Sequence, residues 1–189
     1  MINFVDGIND YIKLLKDTLD NLDRDEVNTV INLLLKARDE GRHIYIIGNG
    51  GSAATASHSV CDFNKGLSYG KDRRFKMLCL NDNVATVSAY SNDVSYEIAL
   101  LEQLKNFLEP MDLVIGISGS GNSKNIINAI KYANERGATT IGITGFDGGE
   151  LRKLANYSVN ANVNDMQISE DIHMILNHLT MKIISSIKE

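Results

Sequence analysis

Residues 112–124 read DLVIGISGSGNSK, and their reading decides the fold. A short apolar run, Leu113–Ile117, is followed at once by Ser118, Gly119, Ser120, Gly121, Asn122 and Ser123, and a helical pattern opens at Lys124. A buried strand that ends in glycines and hydroxyls at a helix start suits a phosphate group. The glycines let the backbone come close, unpaired N–H groups point at the oxygens, and the serines donate further bonds. An ordinary turn also uses Gly and Ser. Three serines in six residues, all at one strand end, exceed what a turn needs.

The loop has an earlier counterpart. Ile44–Ile47 is apolar and ends in Gly48, Asn49, Gly50, Gly51, Ser52, Ala53 and Ala54 before another helical stretch. Read loosely, this is the glycine fingerprint of dinucleotide-binding folds. That fingerprint also expects an acidic residue about 20 positions on, closing the next strand. Here the acid after the next strand candidate is Asp82, well beyond that spacing. Two Ser/Gly loops on two strands point instead to a small phosphorylated ligand held between them.

Around these loops, apolar runs and helical periods alternate. Strands are expected at His43–Gly48, Phe75–Leu80, Leu113–Ile117, Thr139–Thr144 and Tyr157–Ala161, and helices at Ser52–Asn64, Ser95–Phe107, Ser123–Arg136 and Met166–Lys188. That alternation predicts an α/β fold, a doubly wound five-stranded parallel sheet. Two amphipathic helices precede it. Phe4, Ile8, Ile12, Leu15 and Leu19 line Asn3–Asp20, and Val27, Val30, Ile31 and Leu34 line Asp25–Glu40. A single domain over 1–189 is expected, with an N-terminal helical hairpin (1–41) and an α/β core (42–189). Two leading helices and a long closing one are more than the sheet requires, so homo-oligomerisation is expected.

Composition narrows the partners. A net charge of −5 with no long basic run argues against direct nucleic-acid binding. No run approaches the roughly 20 apolar residues of a membrane span, and the first residues lack a leader pattern. A cytoplasmic protein without membrane contact is expected. Cys61 and Cys79 are too few for a disulfide framework and read as buried thiols.

Helix-borne polar groups form a third constellation. His58 and Asp62 are four apart and share a face just past the first loop. The last helix carries Glu170, Asp171, His173 and His178 beside a stripe of Ile172, Ile175, Leu176, Leu179 and Ile183. His178 flanks that stripe, while His173 points away from it and His43 opens a strand. Two histidines and two carboxylates suit a zinc-like ion or proton transfer. The Cα atoms of Glu170 and His178 lie roughly 12 Å apart along a helix. Asp171, better aligned with His178, is therefore the alternative to Glu170 as a ligand.

GNGGSAATASH (48–58), GISGSGNS (116–123) and ITGFDGG (143–149) together resemble the sugar isomerase (SIS) domain family, a flavodoxin-like fold, and within it the phosphoheptose isomerases. The likeness spans nearly the whole chain. It implies aldose–ketose isomerisation of sedoheptulose 7-phosphate to glycero-manno-heptose 7-phosphate in heptose or lipopolysaccharide biosynthesis. It also implies a homotetramer with sites at subunit contacts, and zinc in some members. By position, Ser118, Gly119, Ser120 and Ser123 would hold phosphate. Asn49, Gly50, Gly51, Ser52 and Glu170 would meet the sugar. His58, Asp62, Glu170 and His178 would hold the metal, and Asp62, His178 and Asp93 would act in catalysis. Asp62 and Glu170 stand where the family has Glu and Gln. The exchange is compatible with another phosphosugar, or with a non-catalytic module acting as a phosphosugar sensor or assembly factor.

Overall fold

The computed structural model describes residues 1–187, and in it the five apolar runs become five strands. These are β1 (His43–Ile47), β2 (Lys76–Cys79), β3 (Leu113–Ser118), β4 (Thr139–Gly145) and β5 (Tyr157–Ala161). All neighbours are parallel, in the order β2-β1-β3-β4-β5. The chain steps outward from β1 to β2, then returns past β1 to β3, so the winding reverses between β1 and β3. In open sheets of this winding, the carboxyl ends at that point are where a ligand crevice lies. The pairing of Ile47 with Gly116 sets the loop after β1 beside the loop after β3. β3 is buried along its whole length, the reason it reads as a continuous apolar run.

Strand alternation divides the core into two layers. Ile44, Ile46, Ile115, Ile117 and Ile141 face α2 (Arg24–Asp39), α3 (Gly51–Cys61) and α8 (Met166–Ser185). Tyr45, Ile47 and Val114 face α5 (Ala99–Phe107) and α6 (Lys124–Glu135). Ile141 has no exposed surface, and Ile141→Ala should cost about 2–5 kcal/mol. Side chains start both α2 and α8. The Asp23 carboxylate accepts from the amides of Asp25 and Glu26 at α2, and Asp165 accepts from Ile168 at α8.

Several local expectations change. The third helix leaves α-geometry at Asp62 and continues as a π-helical turn, Asp62–Leu67. The segment expected as one helix from Ser95 begins as a 3₁₀ turn, Tyr96–Ile98, before α5. Two helices were not legible. One is α4 (Val84–Asp93), which buries none of its residues and so carries no apolar stripe; the other is the six-residue α7 (Gly149–Leu154). The leading helices also differ. α2 buries Val27, Val30, Ile31 and Leu34 as expected, whereas α1 (Val5–Asp20) packs Leu15 and Leu19 on the core and leaves Phe4, Ile8 and Ile12 exposed. The expected end of the last helix at Lys188 lies outside the described residues. Among the described residues no helix is long and apolar enough to cross a membrane.

Candidate active site at the carboxyl edge of the sheet

The loop after β1 is held by amides from other elements. The Gly48 N–H donates to Asn81 Oδ1 at 3.1 Å, and Asn81 Nδ2 donates back to the Gly48 carbonyl at 2.8 Å. Asn49 Oδ1 accepts from Tyr96 Oη at 2.6 Å and from Asn125 Nδ2 at 2.8 Å, while Asn49 Nδ2 donates to Asn125 Oδ1 at 2.9 Å. Asn125 lies in the first turn of α6, so this exchange ties the first loop to the helix that follows the second. Gly50, at φ +51, turns the chain into α3, whose amino end has no side-chain cap. Ser52 is buried in the first turn. A Cβ on Gly51 would lie 2.5 Å from one Glu170 carboxylate oxygen and 2.6 Å from the other. Glu170 therefore covers the start of α3, where the helix dipole favours an anion.

The loop after β3 holds itself. Ser118 Oγ donates to Ser123 Oγ at 3.2 Å, the Asn122 amide donates to Ser120 Oγ at 3.2 Å, and Asn122 Nδ2 donates to the Ser120 carbonyl at 2.9 Å. The Gly121 amide closes a turn on the Ser118 carbonyl at 3.0 Å, with φ +66. The third motif, ITGFDGG, buttresses this loop from behind. The Gly145 amide bonds the Gly119 carbonyl at 2.8 Å and the Leu151 amide bonds that of Gly121 at 2.9 Å. A Cβ on Gly121 would run into the Gly148 carbonyl oxygen. Ser123 precedes α6 without capping it with its side chain. The crevice thus carries two helix amino ends without side-chain caps, each with backbone donors to offer an anion.

α8 runs along α3 in the same direction. Glu170 meets Gly51, and two turns on His178 meets His58 and Asn177 meets Asp62. His58 Nε2 and His178 Nε2 are 3.0 Å apart, and Asp62 Oδ2 lies 3.2 Å from the first and 3.8 Å from the second. The rings cross at 75°. Both imidazoles are open to solvent, while the Asp62 side chain is 16% exposed. A tetrahedral ion with ligands at 2.0–2.1 Å needs donors about 3.3 Å apart. The three sides bracket that length, so the donors fit a divalent ion of the zinc type.

Other sequence candidates fall elsewhere. Glu170 is not part of this triangle, because α8 spends two turns between it and His178. Asp171 is on another face, where Oδ2 accepts from Tyr11 Oη at 2.6 Å and holds that phenol's pKa up at about 12. Asp93 closes α4 on the surface and accepts from Asn92 Nδ2 at 2.8 Å. His173 corrects the helical-wheel reading. It is 2% exposed, and burial keeps its pKa below the ordinary histidine value. The buried face of α8 runs through Ile168, Ile172, His173, Leu176, Asn177 and Thr180, rotated from the apolar stripe, and leaves Leu179 and Ile183 exposed. Cys79 is buried, its thiol pushed up to about 11 by desolvation, but Cys61 is exposed at the end of α3. Asn81, Tyr96, Asn125 and Asn177 were missed. For Asn81 and Asn125 the available signal was an amide at a strand end or in a first helical turn; Tyr96 and Asn177, a phenol in a 3₁₀ turn and an amide in mid-helix, carried none.

Residues 8–145 match the SIS domain family. The chain is 33% identical over 165 residues to the probable phosphoheptose isomerase of Thermoplasma acidophilum, covering 87% of this chain and 90% of that protein. The chain belongs to the SIS family, within its phosphoheptose isomerase group. The phosphoheptose isomerase of Aliarcobacter butzleri is 32% identical, over 93% of this chain and 88% of its own. The solved phosphoheptose isomerase of Neisseria gonorrhoeae superposes with a TM-score of 0.87 at 25% identity, covering 97% of each chain. Membership agrees with the strand order and with both loops lying where the winding reverses.

Proposed function

We propose that the protein is an aldose–ketose isomerase that converts sedoheptulose 7-phosphate to glycero-manno-heptose 7-phosphate in heptose biosynthesis. The observation that carries the reading is the His58–Asp62–His178 triangle, about two turns along α3 from an amino end that, like that of α6, has no side-chain cap. Ser118, Gly119, Ser120 and Ser123 hold the phosphate, with backbone donors added by α6. Asn49, Gly50, Gly51, Ser52 and Glu170 face the sugar.

Isomerisation removes a proton from C1 of the ketose, passes through an enediol, and returns a proton at C2 as the carbonyl moves to C1. It needs one group to take a proton and one to deliver it. Asp62 and His178 are the pair assigned to these steps where no ion occupies their donor atoms, since proton carrier and metal ligand are competing uses of the same lone pairs. His58, Asp62 and His178 are the residues that would hold zinc; when bound, the ion supplies a charge that polarises the carbonyl oxygen. Glu170 stands apart from that triangle and serves the sugar instead. Asp93, exposed at the end of α4, is the acid available to a neighbouring copy's site. Exposed Phe4, Ile8 and Ile12 suit a subunit contact, here assigned to a homotetramer.

Turnover on a panel of C5–C7 sugar phosphates tests the reading. Conversion of the seven-carbon ketose, lost in His178→Ala, is expected. Tight phosphosugar binding with no turnover would overturn the enzyme in favour of a sensor module. Light scattering should give four times the 20.8 kDa chain mass.

A further inference from the structure

We propose that Asn177 is a positioning residue that sets the Asp62 carboxylate for cation binding, an assignment that rests on reading His58, Asp62 and His178 as a cation site. The contacts converge on a single atom. Asp62 Oδ2 accepts from Asn177 Nδ2 at 2.8 Å and lies 3.2 Å from His58 Nε2 and 3.8 Å from His178 Nε2. Asn177 and His178 are consecutive on α8, so they point about 100° apart. Asn177 is turned inward at 9% exposure while His178 is open. One residue grips the carboxylate from the buried side, and the next presents an imidazole on the open side.

The backbone of Asp62 is fixed by other means. Two residues on, Asn64 Nδ2 donates to the Met77 carbonyl at 2.7 Å and Asn64 Oδ1 accepts from the Met77 amide at 3.0 Å, pinning the π-helical turn to β2. What remains to be set is the side-chain torsion of Asp62, and the Asn177 bond sets it. An amide suits this role because it donates without bringing positive charge. The carboxylate keeps its full charge for a cation, where a lysine in the same place would cancel it. Behind Asn177 lies a cavity of about 50 Å³ lined mainly by apolar groups such as Ile143, Val159 and Leu176. An apolar side chain of similar shape at 177 therefore has compatible surroundings.

The test uses the full-length protein stripped of metal and titrated with Zn²⁺ against a chromophoric chelator. Asn177→Leu keeps the shape and removes the donor; Asn177→Ala removes both. Each is expected to weaken zinc binding about 10–100-fold, the usual cost of losing an outer partner of a ligand. In an Asp62→Ala background the same changes should alter zinc affinity less than about twofold, because the bond they remove is already gone. Wild-type affinity in a folded Asn177 variant, or an equal loss without Asp62, would overturn the proposal. A wild-type protein that binds no zinc would sink the cation reading separately. The Asn177 side-chain amide resonances of the metal-free protein then decide. They should shift on Asp62→Ala, and unmoved resonances would refute the positioning bond.

Discussion

The loops after β1 and β3 look alike in sequence but are stabilised in different ways. The second is built from its own residues, Ser118 to Ser123, and braced by backbone bonds from the segment after β4. The first borrows its shape from side chains 33, 47 and 76 positions away, Asn81, Tyr96 and Asn125. A loop held mainly by its own residues needs, besides its strand and helix, only the backbone of residues 145–151 behind it. A borrowed loop is correct only when the whole switch point has assembled. The division matches the proposed chemistry, with phosphate anchored at the second loop and bond changes at the far end of the helix that the first one starts.

Asp62→Asn gives the sharpest contrast. It keeps the size but removes the proposed base, so kcat should fall about 10²–10⁴-fold with little change in KM. A large KM change with kcat kept would reverse the roles of the two loops. Ser120→Ala with Ser123→Ala should do the opposite. Each neutral bond contributes roughly 0.5–1.5 kcal/mol, so the double variant should raise KM about 5–150-fold with kcat nearly kept. Isothermal titration with a sugar phosphate reads this directly, and unchanged affinity would reduce the second loop to a turn.

Smaller effects test the borrowing itself. Asn81→Ala leaves both backbone groups of Gly48 without their partner and should cost about 1–3 kcal/mol of stability in urea unfolding. Ser120→Ala, on the self-contained loop, should change stability by less. If the two variants are equally stable, the distinction between the loops fails. Tyr96→Phe removes one bond to Asn49 and should lower kcat a few-fold while leaving the melting temperature within about 2 °C. An effect on phosphate affinity instead would place Tyr96 with the second loop.

The difference between the loops also explains what could be read in advance. The serine loop was legible because its donors are contiguous, and so was the winding, because apolar runs alternate with helical periods. His58 with Asp62 was legible because helical spacing alone puts them on one face. Glu170 as a fourth ligand was not settled that way. Two turns of α8 separate it from His178, and the structure sets it over Gly51 instead. His173 and Asn177 were misread or missed because an apolar count cannot tell which face of α8 meets α3 and β4. The buried face turned out to include both polar residues.

The five strands, a doubly wound parallel sheet, the two loops at strand ends and the helix-borne His58–Asp62 pair were all readable from the chain, since they follow from periodicity and residue type over short spans; the strand order that puts the reversal between β1 and β3 was not. Only the tertiary structure decided that His178 completes a triangle with that pair while Glu170 and Asp171 do not, and that Asn81, Tyr96, Asn125 and Asn177 support the site. Those contacts join residues 33 to 120 positions apart. Their geometry depends on how α8 is rotated and seated against α3. Close packing of the two layers sets that rotation, and no local pattern in the chain encodes it.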